Sequence, residues 1–147
     1  MYDETRIDWS VFAGDPVARV RVGYEAPDII ELSAKLLKIP EDDVRRRWKQ
    51  LMYFFATVHL LAKTGSLLPG NKPIQPPPQL EEVWRIFREM MPEHVADYCR
   101  SFFDGQDVGW RAEYPPEHRL TPDRLELVSR TATEVIEFEV DAELWRL

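Results

Sequence analysis

Glu41-Asp-Asp-Val-Arg-Arg-Arg-Trp-Lys-Gln-Leu-Met-Tyr-Phe-Phe-Ala-Thr-Val-His-Leu-Leu-Ala-Lys63 is the stretch whose reading decides the fold. Val44, Trp48, Met52, Phe55, His59 and Ala62 recur at steps of three and four, on one stripe of an α-helix. From Leu51 onward the other side is apolar too, through Phe54, Val58 and Leu61. A helix that starts amphipathic and becomes apolar all round runs into the centre of a core. Glu41, Asp42 and Asp43 fill its first turn, where the helix dipole favours negative charge. Gly65, after Lys63 and Thr64, suits the left-handed residue that closes a helix. The apolar run from Leu51 to Ala62 is broken by Thr57 and His59 and falls short of the roughly 20 residues a bilayer span needs.

Outward from this helix the pattern stays mainly α. Pro27 and Asp28 open an upstream helix with Ile29, Leu32, Ser33 and Leu36 on its inner face, and Pro40 stops it and starts the next. Ser66–Pro78 holds five of the twelve prolines and reads as a rigid polyproline strap along the surface. A helix resumes at Leu80, with Val83, Trp84, Phe87 and Met91 inward. Arg85, Arg88, Glu81, Glu82 and Glu89 face out, giving i,i+4 pairs Glu81–Arg85 and Arg85–Glu89. Pro92 starts a further helix that presents Val95, Tyr98 and Phe102 and ends at Asp104-Gly105.

The termini read differently. Val17–Val22 mixes valine with arginine and predicts a short strand. Thr121-Pro122-Asp123 is a good helix start, yet Thr131, Thr133, Val135, Ile136 and Phe138 are β-formers and Glu137 and Glu139 alternate with apolar neighbours. We expect a hairpin, Arg124–Ser129 with Glu134–Val140, paired with Val17–Val22; a single helix is the alternative. The expected fold is therefore one domain over 1–147, mainly α with about four helices, plus a small antiparallel β element from the N- and C-terminal segments.

Composition sets the outer limits. The net charge of −7 works against nonspecific attraction to phosphate backbones or anionic membranes. Cys99 is the only cysteine, which leaves no intrachain disulfide or Cys-cluster zinc site and fits a reducing, cytoplasmic setting. The acidic N-terminus lacks the pattern of a secretory signal.

Each candidate chemistry meets a simpler reading. Glu89, Glu93, His94 and Asp97 are the nearest approach to a metal set, but one histidine without a second such segment is a weak ligand group and a solvated acidic face accounts for it. Cys99 beside Tyr98 suits a small buried hydrophobe, and His59 a core histidine. His118 sits on a proline-rich loop. There is no Gly-x-Ser-x-Gly, P-loop or Gly-x-Gly-x-x-Gly.

Two resemblances add to this. In Ser33–Leu51, Ala34, Leu37, Ile39, Val44, Trp48 and Leu51 fall where helix-turn-helix motifs place packing residues, and the stretch resembles the helix-turn-helix of small bacterial regulators. It departs from them at Lys38, which holds the turn position usual for glycine. It departs again in the three acids of the would-be recognition helix, where phosphate contact calls for Lys or Arg. Tyr53-Phe-Phe, Leu60-Leu-Ala, Leu67-Leu-Pro69, Leu80-Glu-Glu-Val-Trp84 and Tyr98-Cys99, followed by Phe103 and Gly105, resemble the glycine-rich-domain-containing-protein-like family. That family's pattern has an apolar helix, a loop ending in Leu-x-Pro, a Val-Asp-x-x-Trp-His-x-His helix, then an aromatic and a Cys. Arg85 and Phe87 stand in place of its two histidines, Glu81 in place of its Asp, and the Trp-to-Cys spacing is a residue longer. The histidines' role does not carry over, and the resemblance implies fold more than activity.

The function expected from these residues is that of a non-catalytic intracellular protein acting through contact with another protein: an adaptor, inhibitor, immunity-type protein or small assembly subunit. Exposed Trp beside Arg is an interface signature. The expected contact residues are Arg45, Arg46, Lys49, Trp110, Arg111 and Trp145, with no cofactor, metal or membrane partner. Trp9, Trp110 and Trp145 equally suit a role in pinning loose segments to the core. The alternative is a helix-turn-helix DNA-binding protein using Arg45, Arg46, Arg47 and Lys49, and the third reading is an enzyme with a site near Glu93 and His94.

Overall fold

The structure, a computed structural model, describes residues 28–63, 74–102 and 116–147, together with Asp15, Val17 and Val20. Its helices are α1 (Ile29–Leu37), α2 (Glu41–Lys63), α3 (Pro78–Met90), α4 (Pro92–Phe102) and α5 (Pro122–Arg130). A short 3-10 turn, Pro116–His118, precedes α5, and a π-helical turn, Thr131–Val135, follows it. The central helix has the bounds its apolar stripe implies. It packs against α1, α3, α5 and the π turn, while α3 also packs on α1 and α4. Val44, Trp48, Leu51, Met52, Phe54, Phe55, Ala56, Val58 and Leu61 of α2 are all buried. Burying so many large side chains, at about 1.5–3 kcal/mol each, makes α2 the axis of the core.

The α1–α2 corner turns on Lys38. Its backbone is left-handed (φ 58°, ψ 46°), and Ala34 O accepts from the Lys38 N–H and, at 3.2 Å, from the Ile39 N–H. Lysine in that conformation costs about 1 kcal/mol that glycine avoids. Pro40 then stands just ahead of α2, its carbonyl accepting from Asp43 N at 3.1 Å and Val44 N at 3.2 Å. The inner face of α1 is Ile29, Ile30 and Ser33; Leu36, expected inside, is 53% exposed. Leu36 shares the phase of the fully buried Ile29, about 20° away round the helix, so its position in the last turn and not its phase leaves it exposed.

The strap is seen at Ile74–Pro77. Ile74 is fully buried, and Pro77 (φ −53°, ψ 150°) is close to polyproline II geometry. Gln75 ties it down: its N–H donates to His118 O at 2.9 Å, and its side-chain oxygen accepts from Leu120 N at 3.3 Å. Pro78, expected to close the strap, is instead the first residue of α3, where its missing N–H leaves no bond unmade. On α3, Glu81 and Arg88 do not face out as expected. They lie two turns apart on one face and form a buried ion pair at 3.0 Å, their side chains 9% and 8% exposed.

The expected β element is the main correction. Among the described residues there is no strand. Of Val17–Val22 only Val17 and Val20 are described; both are helical and half-buried against the core. Residues 124–129 lie in α5 rather than in a hairpin. Thr121 caps α5 by accepting from Arg124 N at 3.3 Å, with Pro122 in the first turn. Leu125, Val128, Ala132 and Ile136 follow at helical steps and turn inward, which outweighs the modest helix penalty of Thr131, Thr133 and Val135. The helix closes through Ile136 N to Thr131 O (3.0 Å) and Phe138 N to Ala132 O (2.8 Å), with Glu137 left-handed at φ 66°. Beyond it the alternation is real: Ile136 and Phe138 are buried, Glu137 and Glu139 exposed. This extended tail packs on α2 instead of on a neighbouring strand.

Candidate contact surface on the second helix

The basic block opens α2, and its amphipathic phase points Arg45, Arg46 and Lys49 to the exposed side while Val44 and Trp48 enter the core. The structure therefore brings these three expected contact residues onto one face. They do not form a free positive patch. Arg45 pairs with Asp42 at 3.4 Å. Arg46 donates through Nε to Asp141, through Nη2 to Glu143 at 2.9 Å, and lies 3.4 Å from Asp43. Arg47, only 14% exposed, reaches Glu82 at 3.2 Å and Asp43 at 3.6 Å. Five carboxylates thus answer three arginines.

Two of those carboxylates come from the C-terminal tail, and Gln50 explains why they stand there. Between Trp48 and the apolar run from Leu51, Lys49 is exposed and the Gln50 amide is buried. Its Nε2 donates to Glu139 O at 3.0 Å, while its Oε1 accepts from Asp141 N at 3.0 Å and from the Trp145 indole N–H at 2.8 Å. It reads the tail backbone on both sides of Val140. Trp145 packs edge-on against Phe54 with ring centroids 5.5 Å apart. Phe138 stacks on Tyr53 at 4.2 Å, and Lys49 lies 5.7 Å from the centre of the Tyr53 ring. A depression of about 390 Å³ remains between helix and tail, lined by Arg46, Lys49, Gln50, Glu139, Val140 and Asp141.

The ion pairs shift both partners. The hydrogen bond to Asp141 raises the Arg46 guanidinium above its ordinary value, burial opposing, with help from the charges of Asp141 and Glu143. The hydrogen bond from Arg46 holds Asp141 below its ordinary 3.8 against the opposing effect of burial, assisted by the Glu143 and Leu144 N–H groups. Because the folded value lies below the unfolded one, the stabilisation is complete above about pH 5 and is lost as pH falls through the folded value. We expect the urea midpoints of the wild type and Asp141→Asn to differ at neutral pH and to converge once the pH has fallen well below the ordinary carboxylate value of 3.8. Parallel curves down to that pH would show that Asp141 does not couple protons to folding. Arg46 is 41% exposed, so solvent screening keeps the effect small.

The remaining expected site residues fall elsewhere. Trp145 is no surface contact: it is 5% exposed, because Gln50 satisfies its N–H and Phe54 takes its ring. It pins the tail to the core. Trp110 and Arg111 lie outside the described residues. Glu93 is exposed and His94 half-buried on α4, and among the described residues no His, Cys, Asp or Glu group is placed to hold a metal ion. His59 and His118 are both buried. Of the two positions matching the family's histidines, Arg85 is exposed and Phe87 fully buried, so they do not share a site. No described helix is long and apolar enough to cross a membrane. Sequence reasoning missed Gln50, Tyr53, Asp141 and Glu143. The available signal was the acidic spacing Glu139-x-Asp141-x-Glu143 set against the basic block.

No protein-family model matches the chain, and no curated protein and no solved structure matches it.

Proposed function

We propose that this is a non-catalytic, intracellular protein that acts by contacting another protein, as an adaptor, inhibitor, immunity-type protein or small assembly subunit. The observation that carries the reading is the composition of the α2 face. Arg45, Arg46 and Lys49 are flanked by the outward carboxylates of Asp42, Glu139 and Glu143, so the surface alternates in sign. Alternating charge suits the mixed side chains of a protein, whose complementary pattern gives register and specificity. A phosphate backbone approaching Arg46 must first compete with Asp141 and Glu143, and brings its own negative charge against these carboxylates.

The test is chemical crosslinking of the tagged full chain in its host, followed by mass spectrometry. One stoichiometric protein, crosslinked to residues around position 49, is expected, with recovery falling at least about tenfold in Arg45→Glu/Lys49→Glu. Unchanged recovery in that variant removes the α2 face from the contact.

DNA binding through a helix-turn-helix is the second reading, and the left-handed Lys38 favours it, since that turn needs such a residue. It requires a salt-dependent shift of duplex DNA that disappears in Arg45→Ala/Lys49→Ala. Absence of any shift at low salt ends it.

A further inference from the structure

Hydrogen bonds, ion pairs and ring contacts tie the tail to α2 more than to its own helix. Toward α5 and the π turn, Phe138 N to Ala132 O (2.8 Å) is the hydrogen bond that fixes its direction. Toward α2 it presents Phe138 on Tyr53, Glu139 and Asp141 on Gln50, Asp141 and Glu143 on Arg46, and Trp145 on Gln50 and Phe54. Residues 138–147 therefore lie on α2 as an acidic, aromatic peptide lies on a receptor, joined to the body through one residue. That residue, Glu137, has a left-handed backbone (φ 66°) without being glycine, and it follows a π-helical turn rather than a regular α turn. Rewinding this short stretch to ordinary helix removes the unfavourable backbone and points the tail away from its own α2. The occupant that fits the vacated face, with matching charge, amide and aromatic contacts, is the tail of a second copy.

We propose that residues 138–147 exchange between two copies of this chain, each tail occupying the Arg46–Gln50 face of the other. The contacts with α2 are identical in the closed monomer and the exchanged dimer, so the equilibrium is set by the hinge and by protein concentration. In the closed form the tail sits at its own receptor at the high effective concentration of a tether, and the wild type is monomeric when dilute. The proposal does not depend on which partner the protein contacts.

Two full-length hinge variants shift the equilibrium in opposite directions. A β-branched residue resists the left-handed backbone and glycine accepts it. Measured by sedimentation equilibrium, the dimerisation constant should rise at least about tenfold in Glu137→Val and fall about tenfold in Glu137→Gly, two hinges counting per dimer. A charge-exchange pair identifies the contact. Arg46→Glu repels its own acidic tail, and Asp141→Lys/Glu143→Lys repels its own Arg46, but each tail suits the other copy's face. Mixed, the two chains should form a 1:1 heterodimer that neither forms alone. Should either charge variant fail to fold, as judged by circular dichroism, the hinge pair decides by itself. The exchange is overturned by equal dimerisation constants for the Val and Gly variants, or by two folded charge variants that remain monomers when mixed.

Discussion

Gln50→Leu is expected to lower the unfolding free energy by about 2–4 kcal/mol, read as a reduced urea midpoint at unchanged slope. Leucine has nearly the size of glutamine and fills the space, so the loss is not one of packing. It is the loss of the amide that satisfies Glu139 O, Asp141 N and the Trp145 indole N–H together. Each contributes about 1 kcal/mol as an exchange with water, and more where water cannot replace it. The Trp145 N–H is the critical one, since the residue is 5% exposed and has to drag its ring outward to find another acceptor. The damage should be local. Hydrogen exchange should rise across residues 138–147 while the amides of α3 keep their protection. A wild-type midpoint in Gln50→Leu would mean that the tail is held by its apolar contacts alone.

Trp84→Ala should be more severe, with a loss of about 4–5 kcal/mol, enough to leave many domains unfolded at 37 °C. Trp84 is fully buried on α3. Its ring meets Phe55 of α2 at 4.7 Å, Phe87 at 5.7 Å and Tyr98 of α4 at 6.4 Å, mostly edge to face. Three helices therefore share one side chain, and the cavity left by alanine cannot close without moving all of them. Trp84→Phe separates ring packing from hydrogen bonding. The indole N–H finds no acceptor among the described residues, so phenylalanine removes volume without stranding a partner. A loss of only about 1–2 kcal/mol is expected there. If alanine and phenylalanine destabilise equally in thermal or urea melts, the aromatic cluster is not what holds α3 and α4 to α2.

The contact residues show where sequence reading succeeds and where it stops. Arg45, Arg46 and Lys49 could be placed on one exposed helix face, because helical phase is a local property. The tail carboxylates that meet Arg46 could not, because Asp141 and Glu143 lie more than 90 residues away along the chain. Trp145 illustrates the same limit. In sequence it stands beside Arg146 near the chain end, which suits an interface or an anchor equally; only the presence of Gln50 and Phe54 beneath it makes it an anchor. Glu81 and Arg88 look like surface charges until α3 is turned by its burial of Leu80, Val83, Trp84 and Phe87, which carries them inward as a pair.

The C-terminal segment divides the two kinds of information most clearly. Both of its sequence signals were sound: the Thr121-Pro122 start with apolar steps of three and four through Val128 and Ala132, and the alternation from Ile136 to Val140. The signals belong to consecutive stretches, a helix and then an extended tail, and not to two strands of one hairpin. The sequence by itself determined the central helix, its flanking helices, the proline punctuation and the exposed basic face, since each rests on periodicity and end chemistry within a few residues. Only the tertiary structure decided that the alternating tail lies on α2 rather than in a sheet and that the basic face is met by the chain's own carboxylates. Those outcomes depend on which distant surfaces offer burial, an acceptor or an opposite charge, and residue spacing along the chain does not encode that choice.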